Sequence, residues 1–328
     1  MRFGNERIFL NMKKTFFYLS LLLTLLLSKV NISIVYCQTD ALSGEISYSS
    51  ENNELSLGEI LFIKATLHNQ SSSDCIIYTN DAVLHSTVEI IDSHGHIWRA
   101  NSHINPYFGK IFIKPGENEV FYIDLNDFGE RFCSWCGSSF LPPGKYSVVL
   151  RFPYSMKDNE DDKRSFILHA DFTVKAESNY KDIANEIEIV VSENAVTKQV
   201  FHPDSIEKFR MNRLRGLLIL RDKYLKSPFL QQIYNILMST GCATKAVIEA
   251  GYCEKYIMEY LEIFGNKSIH FTKVPWIVRN ATNKPEYVNY LKHYIESHSN
   301  ARAADELSEL LRRSEDSKLK NCFNNERK

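Results

Sequence analysis

The chain has 328 residues, with 39 Lys and Arg against 40 Asp and Glu, a formal net charge of −1. No run of Lys and Arg interleaved with aromatic residues supplies the basic face that a phosphate backbone requires, which sets aside a nucleic-acid binder. The length accommodates a short leader and two domains, each large enough to bury a core.

At the N-terminus, Lys13 and Lys14 precede the apolar run TFFYLSLLLTLLLS, Thr15 to Ser28, and a polar break follows at Lys29 and Asn31. A basic pair, an apolar stretch of secretory length and a polar break read as a signal peptide over residues 1–37, with Met12 as an alternative start. Val35-Tyr36-Cys37 before Gln38 is a moderate fit to a cleavage site. Lipid anchoring at Cys37 is disfavoured, because a small residue normally precedes a lipidated cysteine and Tyr36 stands there. No other stretch approaches the ~18 apolar residues that cross a bilayer, so the mature chain is expected to have no transmembrane segment. The expected location is outside the cytoplasm, periplasmic or secreted. Residues 1–37 carry five basic side chains and one acidic one, so the remainder holds 34 and 39, net −5.

From 42 to 176 apolar residues alternate and turn residues interrupt them, the pattern of a β-sandwich. In EILFIKATLHN, Glu59 to Asn69, Leu61, Ile63, Ala65 and Leu67 share one face; in KYSVVLRF, Tyr146, Val148, Leu150 and Phe152 do the same. Further strands are expected at Cys75–Tyr78, Thr87–Ile91, Glu119–Leu125, Ser165–Ala170 and Phe172–Val174, with turns at Ser93–Gly95, Lys114–Gly116 and Pro142–Gly144. The charged stretch SMKDNEDDKRS, Ser155 to Ser165, reads as a solvated loop.

After Asn179 the period becomes helical. Asp204 to Leu225 spaces Ile206, Phe209, Leu214, Leu217, Leu218, Leu220 and Leu225 along one broad stripe. Ser227-Pro228 then reads as a helix start, Ser accepting from an orphan N–H and Pro fixing φ. Later helices are expected at Glu254–Phe264, Thr272–Val278, Pro285–Ser297 and Ala301–Arg313. The helical domain spans 177–313, and 314–328 is a polar tail expected to fray.

Cys133 and Cys136 form a Cys-x-x-Cys pair between two predicted strands. A redox pair needs a thiolate stabilised at a helix N-terminus, a context missing here; zinc needs four ligands, and no second Cys-x-x-Cys completes a four-thiolate site, Cys75 and the histidines being the other ligands on offer, so in an exported chain a disulfide is the expected fate. Cys75 lies in the same sandwich and is a candidate partner for one of the two. Cys242 and Cys253, flanking ATKAVIEAGY, are placed to staple a helical hairpin, which leaves Cys322 over. His94 and His96, with His103 nearby, are weak metal candidates; Ser93-His94-Gly95-His96 has the composition of a hairpin turn, and that reading is preferred. Trp98, Tyr107 and Trp135 are candidates for an aromatic ligand platform, core packing being the commoner fate. No Gly-x-Ser-x-Gly, His-Glu-x-x-His or P-loop is present, and no catalytic residue or cofactor is assigned. Asn69-Gln70-Ser71, Asn266-Lys267-Ser268 and Asn280-Ala281-Thr282 are glycosylation sequons if the source is eukaryotic.

Two resemblances add to this. VEIIDSHGHIWRAN (Val88 to Asn101), IKPGENEVFYIDL (Ile113 to Leu125) and LPPGKYSVVLRF (Leu141 to Phe152) carry an Asp-x-x-Gly-x-x-Trp strand end, a Pro-Gly-Glu turn and a Pro-Gly-x-Tyr strand. This resembles immunoglobulin-like sandwiches of the intracellular-proteinase-inhibitor type. Tyr224-Leu225-Lys226-Ser227, Phe264-Gly265-Asn266-Lys267 and His298-Ser299-Asn300-Ala301, spaced by 40 and 34 residues, resemble the turns of tetratricopeptide-like helical hairpins in exported bacterial proteins.

The function expected from these readings is a non-enzymatic binding or scaffold protein that presents sandwich and helices to another protein or a cell-envelope component. The alternatives are a protease inhibitor acting through the loops His103–Lys110 or Arg131–Phe140, and a hydrolase with a dispersed site, a metal at His94, His96 and His103 among its forms. Both halves are expected to pack separately, with no reactive centre between them.

Overall fold

Alternating apolar residues build strands as far as Lys175, and every α-helix among the described residues follows it. The structure, a computed structural model, describes residues 37–38, 41–50, 53–79, 88–99, 109–131, 139–157, 159–192, 203–270, 272–280 and 285–312. In chain order the strands are β1 (Cys37–Gln38), β2 (Leu42–Tyr48), β3 (Glu54–Ser56), β4 (Phe62–Asn69), β5 (Cys75–Thr79), β6 (Val88–Asp92) and β7 (Ile97–Trp98). They continue with β8 (Gly109–Ile113), β9 (Asn118–Asp124), β10 (Glu130–Arg131), β11 (Ser139–Phe140), β12 (Gly144–Met156) and β13 (Asn159–Lys175).

One antiparallel sheet has the order β1-β2-β4-β9. The other runs β3-β13-β12-β5-β8, and the long β12 also takes β6 along its first half. The inward faces meet as the alternation requires: Ile46, Ile63, Ala65 and Leu67 from the first sheet, Val148, Leu150, Phe166 and Leu168 from the second, all buried. Phe121 lies on Phe152 with ring centroids 5.0 Å apart. The structure is therefore a β-sandwich followed by helices.

Two expectations change. Residues 155–165 do not form a loop, because β12 and β13 continue as a hairpin to a closing pair at Met156 and Asn159, with a register shift between Tyr154 and Met156. Ladder hydrogen bonds hold such an arm even where its side chains are charged, so charge hid the strand. For the same reason the two short strands expected at 165–174 are one, β13.

The motifs of the sandwich have structural jobs. Asp92 Oδ1 accepts from the backbone N–H of His94 (2.8 Å) and of His96 (3.0 Å), and Oδ2 accepts from Trp98 Nε1 (3.3 Å). Gly95 supplies φ +80° at the tip of that turn. Tyr146 OH donates to Pro142 O at 2.6 Å, tying the strand to the turn before it. Asn69 is fully buried: its Nδ2 donates to Ser73 O and Ile113 O, and its Oδ1 accepts from Ser71 N and Oγ. Its sequon is thus a folding element and closed to a glycan in the folded chain.

The helices are α1 (Tyr180–Ser192), α2 (Pro203–Lys223), α3 (Leu230–Gly241), α4 (Lys245–Glu249), α5 (Tyr252–Phe264), α6 (Val274–Asn280), α7 (Pro285–Ser297) and α8 (Arg302–Arg312). α1, absent from the expected set, buries Ile183, Ala184, Ile187 and Val191, an ordinary amphipathic spacing. α3 starts at Leu230, after Ser227 Oγ accepts from Phe229 N at 3.3 Å, so Ser227-Pro228 makes the turn before the helix. Successive helices pack on one another, α1 on α2, α2 on α3, α3 on α5 and α7 on α8.

The helices do not stand apart from the sandwich. One apolar cluster runs from Ile63 and Leu57 through Phe229 and Ile233 to Leu307. At the joint, Ile60 N donates to Gln231 Oε1 (2.9 Å), Gln232 Nε2 donates to Glu59 O (3.3 Å) and Lys267 pairs with Glu59 (3.0 Å). Gly58, with φ +100°, lets Phe229 close down on it, since a Cβ there would stand 2.6 Å from Phe229 Cδ2.

Candidate functional site

The cysteines and histidines singled out in the sequence resolve mostly into structure. Cys242 and Cys253 form a disulfide with Cα atoms 5.4 Å apart, fastening the end of α3 to the first turn of α5 across α4. Cys75 is instead a free thiol, fully buried in the sandwich, where burial pushes its pKa up to about 11. It stays protonated and does not serve as the disulfide partner considered for it. Cys133, Cys136 and Cys322 lie outside the described residues, as do His103, Tyr107 and Trp135. His94 and His96 occupy the Asp92 turn, and the ring of His96 meets Trp98 edge-on at 4.8 Å. Among the described residues, no group of three His, Cys, Asp or Glu side chains is placed to hold a metal ion. Trp98 is held by Asp92 and its own hairpin, not offered as a platform.

A cleft of about 1760 Å³ lies between β9 and the helices. It is lined by Asn118, Val120 and Tyr122 of β9, by Trp276 of α6, by Asp305 and Glu309 of α8, and by Ile269 and His270 of the loop before α6. That loop is tied down. Glu306 accepts from Ser268 Oγ (2.7 Å), from Ile269 N (2.7 Å) and from Arg302 Nε (3.1 Å). Arg302 in turn lies 4.7 Å over the ring of Phe62, so α8 is clamped to the outer face of the first sheet. The ring of His270 lies on Tyr122, centroids 4.6 Å apart. Desolvation and the neighbouring Arg302 lower the His270 pKa against the opposing pull of Glu306, so the imidazole is neutral at pH 7.

Ser268, His270 and Glu306 are the residue types of a nucleophile, base and acid, but their arrangement is that of a loop clamp. The Ser268 hydroxyl is 2% exposed, gives its proton to Glu306 and accepts the backbone N–H of His270 at 3.1 Å. A nucleophile would need its base within hydrogen-bond reach and its oxygen open to substrate. Trp276, in the lining of the same cleft, is 56% exposed.

Fold and site together define a β-sandwich joined to a helical half across an open cleft. No family model matches the chain. No curated protein matches it. Among solved structures, the sandwich is similar to a PapD-like domain of human CEP192 (12% identity, 43% of this chain and 92% of that one, TM-score 0.25). It is similar also to the C-terminal domain of wzt (12%, 44% and 79%, TM-score 0.26) and to the putative ApaA protein of Bordetella pertussis (13%, 44% and 96%, TM-score 0.24). Likenesses at this level say nothing of shared activity.

Proposed function

We propose that the chain is an exported, non-enzymatic binding protein that receives a protein or cell-envelope partner in the cleft between its sandwich and its helices. The observation that carries this reading is the make-up of the cleft: Glu306 in its lining is committed to Ser268, Arg302 and the backbone of Ile269, and the large aromatic Trp276 lines it 56% exposed. Walls held in shape around an exposed aromatic suit capture of a ligand.

Export is supported by the leader pattern of residues 1–37 and by the Cys242–Cys253 disulfide, a bond that persists in oxidising compartments. No described helix is long and apolar enough to cross a membrane. On the same reading the sandwich is immunoglobulin-like, of the proteinase-inhibitor type, which the Asp92 turn and the Tyr146–Pro142 bond support. The helices are tetratricopeptide-like, supported by turns at 224–227, 264–267 and 298–301 that each separate two helices.

The test is a photo-crosslinking residue placed at 276 and, as control, at Lys145 on the exposed side of β12, in the full chain in its native envelope. Adducts confined to position 276 are expected. Equal labelling at both positions, or none at 276, overturns the reading.

A further inference from the structure

The cleft lies on the outer face of the first sheet. Phe121 and Ile123 are buried in the sandwich core, so alternation turns the side chains of Asn118, Val120 and Tyr122 outward, and these line the cleft. That wall is made of side chains. An extended peptide laid on it would meet side chains where it needs a main-chain ladder, and an amphipathic helix would set its apolar face against Asp305 and Lys273 of the lining.

The charges around the cleft nearly cancel. Glu306 is matched by Arg302 (3.1 Å) and Glu309 by Arg312 (2.8 Å). Glu119 has a partner of its own, and Asp305 and Lys273 contribute one charge of each sign. What remains is weakly negative at most, which repels a polyanion and holds a polycation by little. Polar capacity is nevertheless present. Among the described residues the side chains of Asp305, Lys273 and Ser239 make no hydrogen bond or ion pair, and Asn118 meets His68 through Oδ1, which leaves its Nδ2. The segment that brings Lys273 and Trp276 is fixed in advance. Glu306 holds Ile269 N (2.7 Å), Thr272 Oγ1 donates to Ile269 O (2.8 Å) and accepts from Val274 N (3.2 Å), and Asn235 Oδ1 of α3 accepts from Lys273 N (3.0 Å).

Resting on the binding reading above, we propose that the cleft takes an uncharged glycan, one sugar ring packing on Trp276 and its hydroxyl groups reaching Asp305, Lys273 and Asn118. A sugar ring carries C–H groups on its faces and hydroxyls around its rim. The C–H face packs on a large aromatic ring, and Trp276 is 56% exposed in the lining. Each hydroxyl both donates and accepts, so it satisfies a carboxylate, an ammonium or an amide without bringing charge of its own. A cleft of about 1760 Å³ exceeds the range of roughly 300–1,000 Å³ usual for small ligands, which suits several linked rings.

The test applies the full chain to an array of neutral, anionic and cationic oligosaccharides. Those retained are titrated against a version of the chain whose only tryptophan is Trp276, read by its emission. Retention of neutral members is expected, with a change in Trp276 emission and an affinity that does not vary with salt. Trp276→Ala and Asp305→Ala, both at exposed positions, should each weaken binding about tenfold, and retention of the parent melting temperature verifies their fold. The inference is overturned if no neutral glycan is retained, if only charged ones are, if affinity falls with salt, or if either variant binds as the parent does. An aromatic photo-crosslinking residue at position 276 in the native envelope separates this failure from that of the binding reading. Adducts with polypeptide and none with glycan overturn the glycan and leave the cleft a binding site; no adduct at all overturns both.

Discussion

Replacing Gln231 by Leu asks whether sandwich and helices share one core or merely touch. Gln231 is 1% exposed; its Oε1 accepts from Ile60 N at 2.9 Å and its Nε2 donates to Tyr260 OH at 2.8 Å. Leu keeps the volume and removes both polar atoms, so a buried N–H and a buried hydroxyl lose these partners at about 1–3 kcal/mol each. Burying an isobutyl group in place of the amide returns about 1–2 kcal/mol, so at the mid-values of these ranges the net loss is about 2–3 kcal/mol. In a Tyr260→Phe background the second orphan disappears, and the same substitution should cost about 1–2 kcal/mol less. The assay is urea unfolding by fluorescence in two versions of the chain, one keeping only Trp98 in the sandwich, the other only Trp276 in the helices. Coincident midpoints that fall together are expected. Separate midpoints in the parent, a shift at only one tryptophan, or a neutral Gln231→Leu refutes the shared core.

Two further outcomes follow from the hydrogen bonds and the disulfide. The Cys242–Cys253 bond closes a loop over a separation of 11 residues, so Cys242→Ser with Cys253→Ser should lower stability by about 3 kcal/mol in urea, as should reductant on the parent chain. Burial raises the Asp92 pKa, but the backbone N–H of His96 and His94 and the Trp98 indole outweigh it, so the net pKa lies below the ordinary value. A depressed carboxylate contributes stability above its unfolded pKa and loses it as pH falls through the folded one. The Trp98 indole resonance should therefore hold steady down to about pH 4 and move below it, a titration absent in Asp92→Asn. Movement that persists in Asp92→Asn refutes the assignment.

How much was legible depended on whether the signal was local. The Asp92, Gly95 and Trp98 turn is contained in seven residues, and Pro285–Ser297 has one clean stripe, so both match expectation. The β12–β13 arm was hidden because hydrogen bonds, not apolar alternation, hold it. The cleft was hidden for a different reason: its lining comes from residues 118–122, 239–243 and 269–310, and no local spacing reports that such distant stretches meet. One clue was available. In FIKATLHN, Phe62 shares the outer face with Lys64, Thr66 and His68, and a large aromatic on a polar face indicates that something covers that end of the sheet. Arg302 does so.

That cover depends on the joint at Gly58, and two glycines separate its cost from that of backbone strain. Gly58 and Gly95 have φ of +100° and +80°, so Ala at either meets the left-handed penalty of about 1–2 kcal/mol. At Gly95 a Cβ meets nothing within 4 Å, and Gly95→Ala should cost no more than that penalty. At Gly58 the Cβ would stand 2.8 Å from the backbone N of Phe229, which no rotamer change can clear, so Gly58→Ala should cost about 1–3 kcal/mol beyond Gly95→Ala. Phe229→Ala removes the 2.6 Å contact with the ring but not the one with the main chain, so it should rescue Gly58→Ala only in part. Equal losses at the two glycines in urea unfolding would mean that α3 moves freely against the sandwich. The cleft could not then have fixed walls, because the same helices that rest on Gly58 and Ile60 carry α6 and α8 to their distance from β9.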